Sequence, residues 1–391
     1  MALDYGTILP AQTDTDPSAY PQGKAKNVTV PGAGDGTPWY ADLVNDLIFG
    51  PMQRFLKLTG TVPSGTPDTA DDSQHVDAMQ RWLWGTLISS NWEAPVPGSL
   101  TGDLNCIAYS PTLDLWVALG ENGVLRYSTD LRSWTSSTIG GGTPDFNAVC
   151  WSASMARFVA VGDAGAIYTS ADGIAWSSQT SGTTTDLYDV AVKPGTPDTI
   201  FAVGEASLID AQPNGIYSTN GTVWTPSDVP FGAGVKSVCW AAGLNAFVCM
   251  VSGGGVATSP TGAAWSTAGL VASGQALARK IVWSAFHSRV IAVGNGGLVS
   301  SSADLVTWDE VTGVLGGTTL YAVAVDENLG QVVAVGANGI AAAFDPGGTW
   351  YNRVTRASIN HLGTAFSAAQ GIMAIVGPSG GVLQSLRGLH A

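Results

Sequence analysis

A tryptophan recurs at nearly constant spacing through most of this 391-residue chain. Gaps of 42, 42, 48, 41, 43 and 42 residues separate Trp92, Trp134, Trp176, Trp224, Trp265, Trp308 and Trp350. Such regularity indicates one structural unit repeated along the chain, and a repeat of this kind constrains the fold more than any local motif. The units also have similar sequences. FNAVCWS (146–152) corresponds to LYAVAV (320–325), and RFVAVG (157–162) corresponds to QVVAVG (331–336).

Each unit holds four short apolar or aromatic runs separated by Gly, Asp, Asn or Ser. Runs of about four to six residues between such breakers are typical of strands joined by tight turns. Units of about 40 to 45 residues with four strands are typical of β-propeller blades. The repeat therefore predicts a mainly β protein with a β-propeller.

A glycine ends the second apolar run of the unit, as at Gly162 and Gly336. Glycine adopts positive φ angles at little steric cost. We therefore expect this glycine to permit a sharp, left-handed turn into the third strand.

The turn before the repeated tryptophan has its own pattern, STDLRSW (128–134), SADGIAW (170–176) and SADLVTW (302–308). Asn220 and Thr261 replace the aspartate in two other units. Short polar side chains can accept hydrogen bonds from turn backbone, and we expect the indole to be buried between blades. The pattern resembles the Asp-box hairpin of sialidase-like and photosystem-assembly-factor propellers, shortened by one residue. That resemblance implies an architectural role and no particular activity.

The two ends of the repeat region complement each other. The last unit reaches GVLQS (381–385) and lacks its tryptophan, whereas Trp92 precedes the first complete unit. We therefore predict that a strand at 91–96 pairs with 381–386 and closes a seven-bladed propeller spanning 91–391. Closure removes the free sheet edges that favour aggregation.

Composition excludes several classes of partner. The net charge of −14, with 16 Lys and Arg residues, disfavours binding to nucleic acid and to anionic membranes. We find neither a transmembrane segment nor a secretory signal pattern. Cys150 and Cys239 share one repeat position in different blades, which predicts small core residues rather than a disulfide. The four histidines are dispersed, so the sequence predicts no metal site and no cofactor.

Residues 1–90 do not repeat. Residues 1–37 are polar and proline-rich, which predicts an extended arm, and apolar spacing over 38–90 predicts a small helical domain. YPQGKAKNVTVP (20–31), GTP (36–38), LVND (43–46) and GTVPSGTPD (60–68) resemble the N-terminal region of tail fibre and tail-tip proteins of tailed bacteriophages. The resemblance implies attachment to other virion tail or baseplate proteins, usually as a homotrimer, and a location at the virion tail tip after synthesis in the host bacterial cytoplasm.

Three functions follow from these patterns. The first is a phage receptor-binding adhesin, a non-enzyme that docks on the tail through its N-terminal region. Its propeller would then bind a bacterial pilus, glycan or outer-membrane protein. The second is a structural baseplate or adaptor protein that contacts no receptor. The third, a sialidase-like glycan-cleaving enzyme, is disfavoured because the propeller arginines are scattered over repeat positions and do not suggest a carboxylate clamp.

One insertion interrupts the repeat. Residues 204–215 link the second and third strands of the third unit, where other units use four or five residues. Insertions on a rigid scaffold often carry recognition, although a tolerated surface loop is the alternative. The predicted receptor contacts are Glu205, Asp210, Gln212 and Asn214, with Asp163 and Asn295 on neighbouring turns.

Overall fold

A computed structural model describes residues 92–93 and 102–385, with gaps at 142–143, 207–212, 232–233, 252, 271–277, 312–316, 329, 345–349 and 355–359. The chain divides into two compact units, Met1–Ile88 and Ser89–Ala391. The predicted extended arm (1–37) and helical domain (38–90) lie outside the described residues. No helix in the described part is both long enough and apolar enough to span a bilayer.

The described residues form seven four-stranded antiparallel sheets, numbered I to VII along the chain. Sheet I contains β2 (Leu104–Ser110), β3 (Leu115–Gly120), β4 (Val124–Ser128) and β5 (Thr135–Thr138). Sheet II contains β6 (Phe146–Ser152), β7 (Arg157–Gly162), β8 (Ile167–Ser170) and β9 (Ser177–Gln179). Sheet III contains β10 (Leu187–Lys193), β11 (Thr199–Gly204), β12 (Gly215–Ser218) and β13 (Thr225–Pro226).

The later sheets repeat this order. Sheet IV contains β14 (Val235–Ala241), β15 (Ala246–Val251), β16 (Gly255–Ser259) and β17 (Ser266–Leu270). Sheet V contains β18 (Ala278–Ser284), β19 (Arg289–Gly294), β20 (Val299–Ser302) and β21 (Asp309–Val311). Sheet VI contains β22 (Leu320–Asp326), β23 (Gln331–Gly336), β24 (Ile340–Phe344) and β25 (Trp350–Val354). Sheet VII contains β26 (Gly363–Ser367), β27 (Ile372–Val376) and β28 (Val382–Ser385), with β1 (Trp92–Glu93) as its fourth strand.

The first strands contact one another in cyclic order, β2, β6, β10, β14, β18, β22, β26 and again β2. Apolar side chains fill each seam between neighbouring sheets. Between sheets I and II, for example, Val117 and Leu119 pack with Phe146 and Phe158, all fully buried. The second strands are nearly all apolar because both of their faces are covered by neighbouring sheets.

The two ends of the ring differ. At the mouth face, each first strand begins and each second strand turns into the third. At the opposite hairpin face lie the turns between first and second strands and the Ser-X-Asp turns between third and fourth strands.

The Ser-X-Asp turn is held by its own side chains. The Ser128 hydroxyl accepts the Leu131 N–H at 2.9 Å, and Asp130 Oδ1 accepts the N–H groups of Arg132 and Ser133 at 2.8 Å each. The Trp134 indole donates to the Leu131 carbonyl at 2.9 Å. The prediction of a buried indole holds for Trp224, which is 8% exposed, whereas Trp134, Trp176, Trp265 and Trp308 are half-buried.

The glycine at the end of the second strand has a different role from the one predicted. Gly162 has a φ of −165°, which is extended backbone. A Cβ there would lie 2.0 Å from the carbonyl oxygen of Asp145, and the same clash occurs at Gly120, Gly204, Gly336 and Gly377. The expectation of positive φ was wrong, because glycine is needed for this close approach. The left-handed residue comes two positions later, as at Ala164 with φ 52°.

Closure of the ring includes one short strand pair between the two ends of the repeat region. Trp92 lies opposite Ser385, and Glu93 lies opposite Gln384. Truncation after Gly377 removes β28 and with it the partner of β1, so cooperative thermal unfolding should be lost. Truncation after Ser385 keeps the pair and should retain it. Differential scanning calorimetry of both proteins checks this, and equal melting would refute the role of the closure.

The close approach at Gly162 also has a measurable consequence. Gly162→Ala should lower the free energy of unfolding by about 3 kcal/mol, because the added methyl group must displace the Asp145 backbone. Gly182→Ala is the control, since its φ is +79° but no atom lies within 4 Å of the added carbon. It should cost about 1 kcal/mol. Urea denaturation measures both, and equal costs would contradict the steric explanation.

Candidate functional site

A β-bulge recurs near the start of the first strand in sheets I to VI. The first residue of each of these strands is buried, and the second has no partner in the strand register. These second residues are half-buried or exposed, and none is aliphatic. We call them the mouth ring: Asn105, Asn147, Tyr188, Lys236, Arg279 and Tyr321.

The two asparagines of the mouth ring connect neighbouring sheets. Asn105 Nδ2 donates to the carbonyl of Phe146 at 3.0 Å. Asn147 Nδ2 donates to the carbonyl of Leu187 at 3.0 Å and to Asp163 Oδ1 at 2.8 Å. This side of the ring is therefore held by amide bridges from one sheet to the next.

The other four residues form two pairs of a cation and an aromatic ring. Lys236 Nζ lies 4.1 Å from the centroid of the Tyr188 ring, and the Arg279 guanidinium lies 5.3 Å from that of Tyr321. The Tyr188 hydroxyl donates to Glu205, whose carboxylate also lies 3.7 Å from Lys236 Nζ. Burial, followed by the hydrogen bond to Glu205, raises the pKa of Tyr188.

The structure brings three of the predicted contact residues to this ring. Glu205 contacts Tyr188 and Lys236, Asp163 accepts from Asn147, and Asn295 accepts from Arg279 Nε at 2.6 Å. Burial raises the pKa of the Asp163 carboxyl, with a further contribution from the charges of Asp186 and Asp145.

The structure does not place the other three predicted residues, Asp210, Gln212 and Asn214, at the mouth ring. Asn214 is 4% exposed, and its amide pairs with the backbone of Val229 in both directions, at 2.7 and 3.0 Å. Its polar atoms hold the end of the insertion together and do not face a ligand. Asp210 and Gln212 lie outside the described residues.

Sequence reasoning missed the mouth ring itself. A signal was present, because the residue after the first buried position varies between Asn, Tyr, Lys and Arg among the units. The repeated tryptophans mark the Ser-X-Asp turns, which lie at the opposite face. Among the described residues, His, Cys, Asp and Glu side chains do not come together in groups of three that could hold a metal ion.

The residue that starts the first strand is apolar in sheets I to VI, and its counterpart in sheet VII is His361, two residues before β26. His361 is 1% exposed, whereas its counterparts include Leu104, Leu187 and Leu320. Its backbone N–H donates to the Gly336 carbonyl at 2.9 Å, which anchors sheet VII to sheet VI. Burial lowers the pKa of His361 from 6.5 to about 4.

No protein-family model matches the sequence, and no curated protein matches it. Solved structures do match. A streptogramin B lyase is 10% identical with a TM-score of 0.64, covering 75% of this chain and 96% of the lyase. YCF48 from Cyanidioschyzon merolae is 16% identical with a TM-score of 0.59, covering 76% of this chain and 99% of the YCF48 chain. The WD40 β-propeller domain of Doa1 is 13% identical with a TM-score of 0.57, covering 76% of this chain and 98% of the Doa1 domain. The fold is therefore a β-propeller.

These comparisons contradict the predicted function. The three structures named above are a lyase, a YCF48 protein and a WD40 propeller, and none of them is a phage tail protein. The tail-protein resemblance rested on short segments within residues 20–90, whereas the likeness in structure covers about three quarters of the chain. The prediction of a phage adhesin was wrong.

The buried histidine predicts a pH dependence of stability. The unfolded chain takes up a proton at His361 below pH 6.5, and the folded chain does so only near pH 4, so stability falls as pH falls through this window. His361→Leu should flatten the decline between pH 6.5 and pH 4. Urea midpoints measured across this range check it, and parallel curves for the variant and the wild type would contradict it.

Proposed function

We propose that this protein is a non-catalytic recognition protein whose propeller binds a polypeptide segment of a partner at the mouth face. The mouth ring is the observation that carries the proposal. At one repeat position, six sheets present amide, phenol, ammonium or guanidinium groups, while the preceding position is buried and apolar in all six. Fold stability requires the buried position, and Asn105 and Asn147 also join neighbouring sheets. The four cationic and aromatic residues at the variable position make no such bridge to a backbone carbonyl of the described residues, so they can serve recognition.

The chemistry of the ring suits a polypeptide better than a uniformly charged polymer. Cations (Lys236, Arg279), carboxylates (Glu205, Asp163) and aromatic rings lie together at one face. A peptide offers donors, acceptors, apolar groups and both charges within a few residues. Tyrosine and arginine are also enriched at protein–protein interfaces.

The contacts within the ring can be exchanged at low cost. Lys236 and Glu205 are 38% and 47% exposed in their side chains and lie 3.7 Å apart. An exposed ion pair of this kind contributes about 0 to 1 kcal/mol to stability. A partner could therefore replace either group without destabilising the fold.

One comparison is consistent with this proposal. A solved structure of YCF48 bound to D1 peptide is 16% identical to this chain with a TM-score of 0.59, covering 75% of this chain and 94% of that one. Peptide binding belongs to that protein, and the likeness indicates a shared fold. It supports the proposal only by giving an example of a propeller with a bound peptide.

We also propose the finer architecture. The seven sheets correspond to seven blades, and the Ser-X-Asp turns correspond to shortened Asp-box hairpins. The cyclic contacts of the first strands and the hydrogen bonds of Ser128 and Asp130 support these assignments. The helical domain at 38–90, the homotrimer and the virion location stay predictions.

A selection from a random peptide library with the full-length protein tests the function. Selected peptides should lose about tenfold or more in affinity with Tyr188→Ala, because the variant removes an aromatic contact at the ring. Ile174→Ala, at an exposed residue on the hairpin face, should leave affinity unchanged. Isothermal titration calorimetry measures both. Equal affinities for the two variants, or no enriched peptide, would contradict the proposed site.

A further inference from the structure

Three cations lie on two neighbouring first strands at the mouth face. Lys236 is the second residue of β14, and Arg279 and Lys280 are the second and third residues of β18. The two strands contact each other in the ring. In a chain with 16 basic residues and a net charge of −14, this grouping, the cation arc, departs from the overall composition.

The cations of the arc are neutralised unequally. Lys236 shares the half-exposed Glu205 carboxylate with the Tyr188 hydroxyl. Arg279 is exposed and bonds a neutral amide oxygen of Asn295 at 2.6 Å. Among the described residues, no carboxylate lies within ion-pair distance of Arg279. The arc therefore retains positive charge that can attract an anion.

Lys280 is fixed by a buried carboxylate. Its Nζ lies 2.5 Å from Oδ1 of Asp189 on β10, so the side chain reaches past β14, which lies between the two strands in the ring. Asp189 is 1% exposed and also accepts from Ser237 Oγ at 2.5 Å and from the N–H of Val238 at 3.0 Å. The Ser237 hydroxyl accepts the Ile281 N–H at 3.1 Å.

This network ties together the three first strands β10, β14 and β18. Asp189 is therefore a positioning residue. It holds the ammonium of Lys280, the residue that follows Arg279 on β18, and it keeps the two strands of the arc in place. Lys280 remains 33% exposed in its side chain, so part of it is accessible from solvent.

We propose that the cation arc receives carboxylate groups of an acidic segment of the partner polypeptide. This inference rests on the proposed peptide-binding function. A guanidinium presents N–H donors in a planar fork that matches a carboxylate, and the Lys236 ammonium on the neighbouring strand adds positive charge. The flanking Tyr188 and Tyr321 rings can pack against the neighbouring peptide groups.

The surroundings favour isolated carboxylates over a continuous polyanion. Glu205, Asp163 and Asp186 lie at the same face, and an acidic polysaccharide or a nucleic acid would place charge against them along its whole length. A peptide can direct one or two carboxylates to the arc and present neutral or basic groups to the acidic side chains.

Three synthetic peptides of identical length test the inference: one with Glu at alternate positions, one with Gln in place of Glu, and one with Lys. Fluorescence anisotropy with the full-length protein should show the Glu peptide binding at least about tenfold more tightly than the Gln peptide. Its affinity should fall as salt is raised, because exposed charges are screened. Arg279→Gln and Lys236→Gln should each reduce affinity for the Glu peptide about tenfold. Arg132→Gln makes the same charge change at an exposed residue of the hairpin face and should have no effect.

The outcomes separate this inference from the proposed function. Equal binding of the Glu and Gln peptides, with both weakened by Tyr188→Ala, would overturn the carboxylate specificity and leave peptide recognition standing. Tighter binding of polygalacturonate than of the Glu peptide would also overturn it, in favour of an acidic polysaccharide. Failure of all three peptides and of every library-selected peptide to bind would overturn both.

Discussion

In sheets I to III, the residue before the first strand makes two contacts on which the mouth face depends. The carbonyl of Asp145 accepts the Asp163 N–H at 3.0 Å within its own sheet, against the glycine that leaves room for it. The side chain of Asp145 accepts the Asn122 N–H at 2.6 Å in the preceding sheet. One residue thus sets the turn of its own sheet and attaches that sheet to its neighbour.

The same side-chain contact recurs around the ring. Asp186 accepts from Ala164, and Asn360 accepts from Asn338. At the seam that closes the ring, Asp103 accepts the Ser379 N–H at 2.8 Å. Since the acceptor meets a left-handed turn residue each time, the turn geometry and the seam are specified together. Closure therefore combines the β1–β28 pair with a contact that three other seams also use.

Three consecutive residues at the start of the first strand thus have different roles: two hold the fold together, and the third can present its side chain for binding. In sheets I to III, the Asp before the strand is occupied by the seam, and the next residue is buried between sheets. The bulged residue after it is released from the register. The acidic side chains at the mouth face thus differ in how far they are available to a binding partner. Asp145 and Asp186 hold backbone groups, whereas Glu205 is shared between a lysine and a tyrosine.

The hairpin face has a different character. Its seams are joined by side chains specific to single sheets, such as Gln370, which accepts from the Trp116 indole at 2.8 Å and donates to Asp114 at 2.6 Å across the closing seam. The exposed large apolar residues also lie on its turns: Leu113, Ile174, Val223, Phe286 and Val306. The Ser-X-Asp turns are held by their own hydrogen bonds, and at the closing seam Gln370 Nε2 also donates to the Thr129 carbonyl at 3.1 Å.

The sequence by itself determined the repeat, the four-stranded unit and the complementary ends, because strand periodicity and turn chemistry are local properties of the chain. It also indicated Glu205, Asp163 and Asn295, since these follow the second strands at a recognisable repeat position. The extended φ of Gly162 was decided only by tertiary structure, because the clash involves Asp145, which lies 17 residues earlier. The mouth ring and the cation arc were likewise decided by the tertiary structure. Lys280 and Asp189 lie 91 residues apart, and only the cyclic packing of the first strands brings their charges within 2.5 Å.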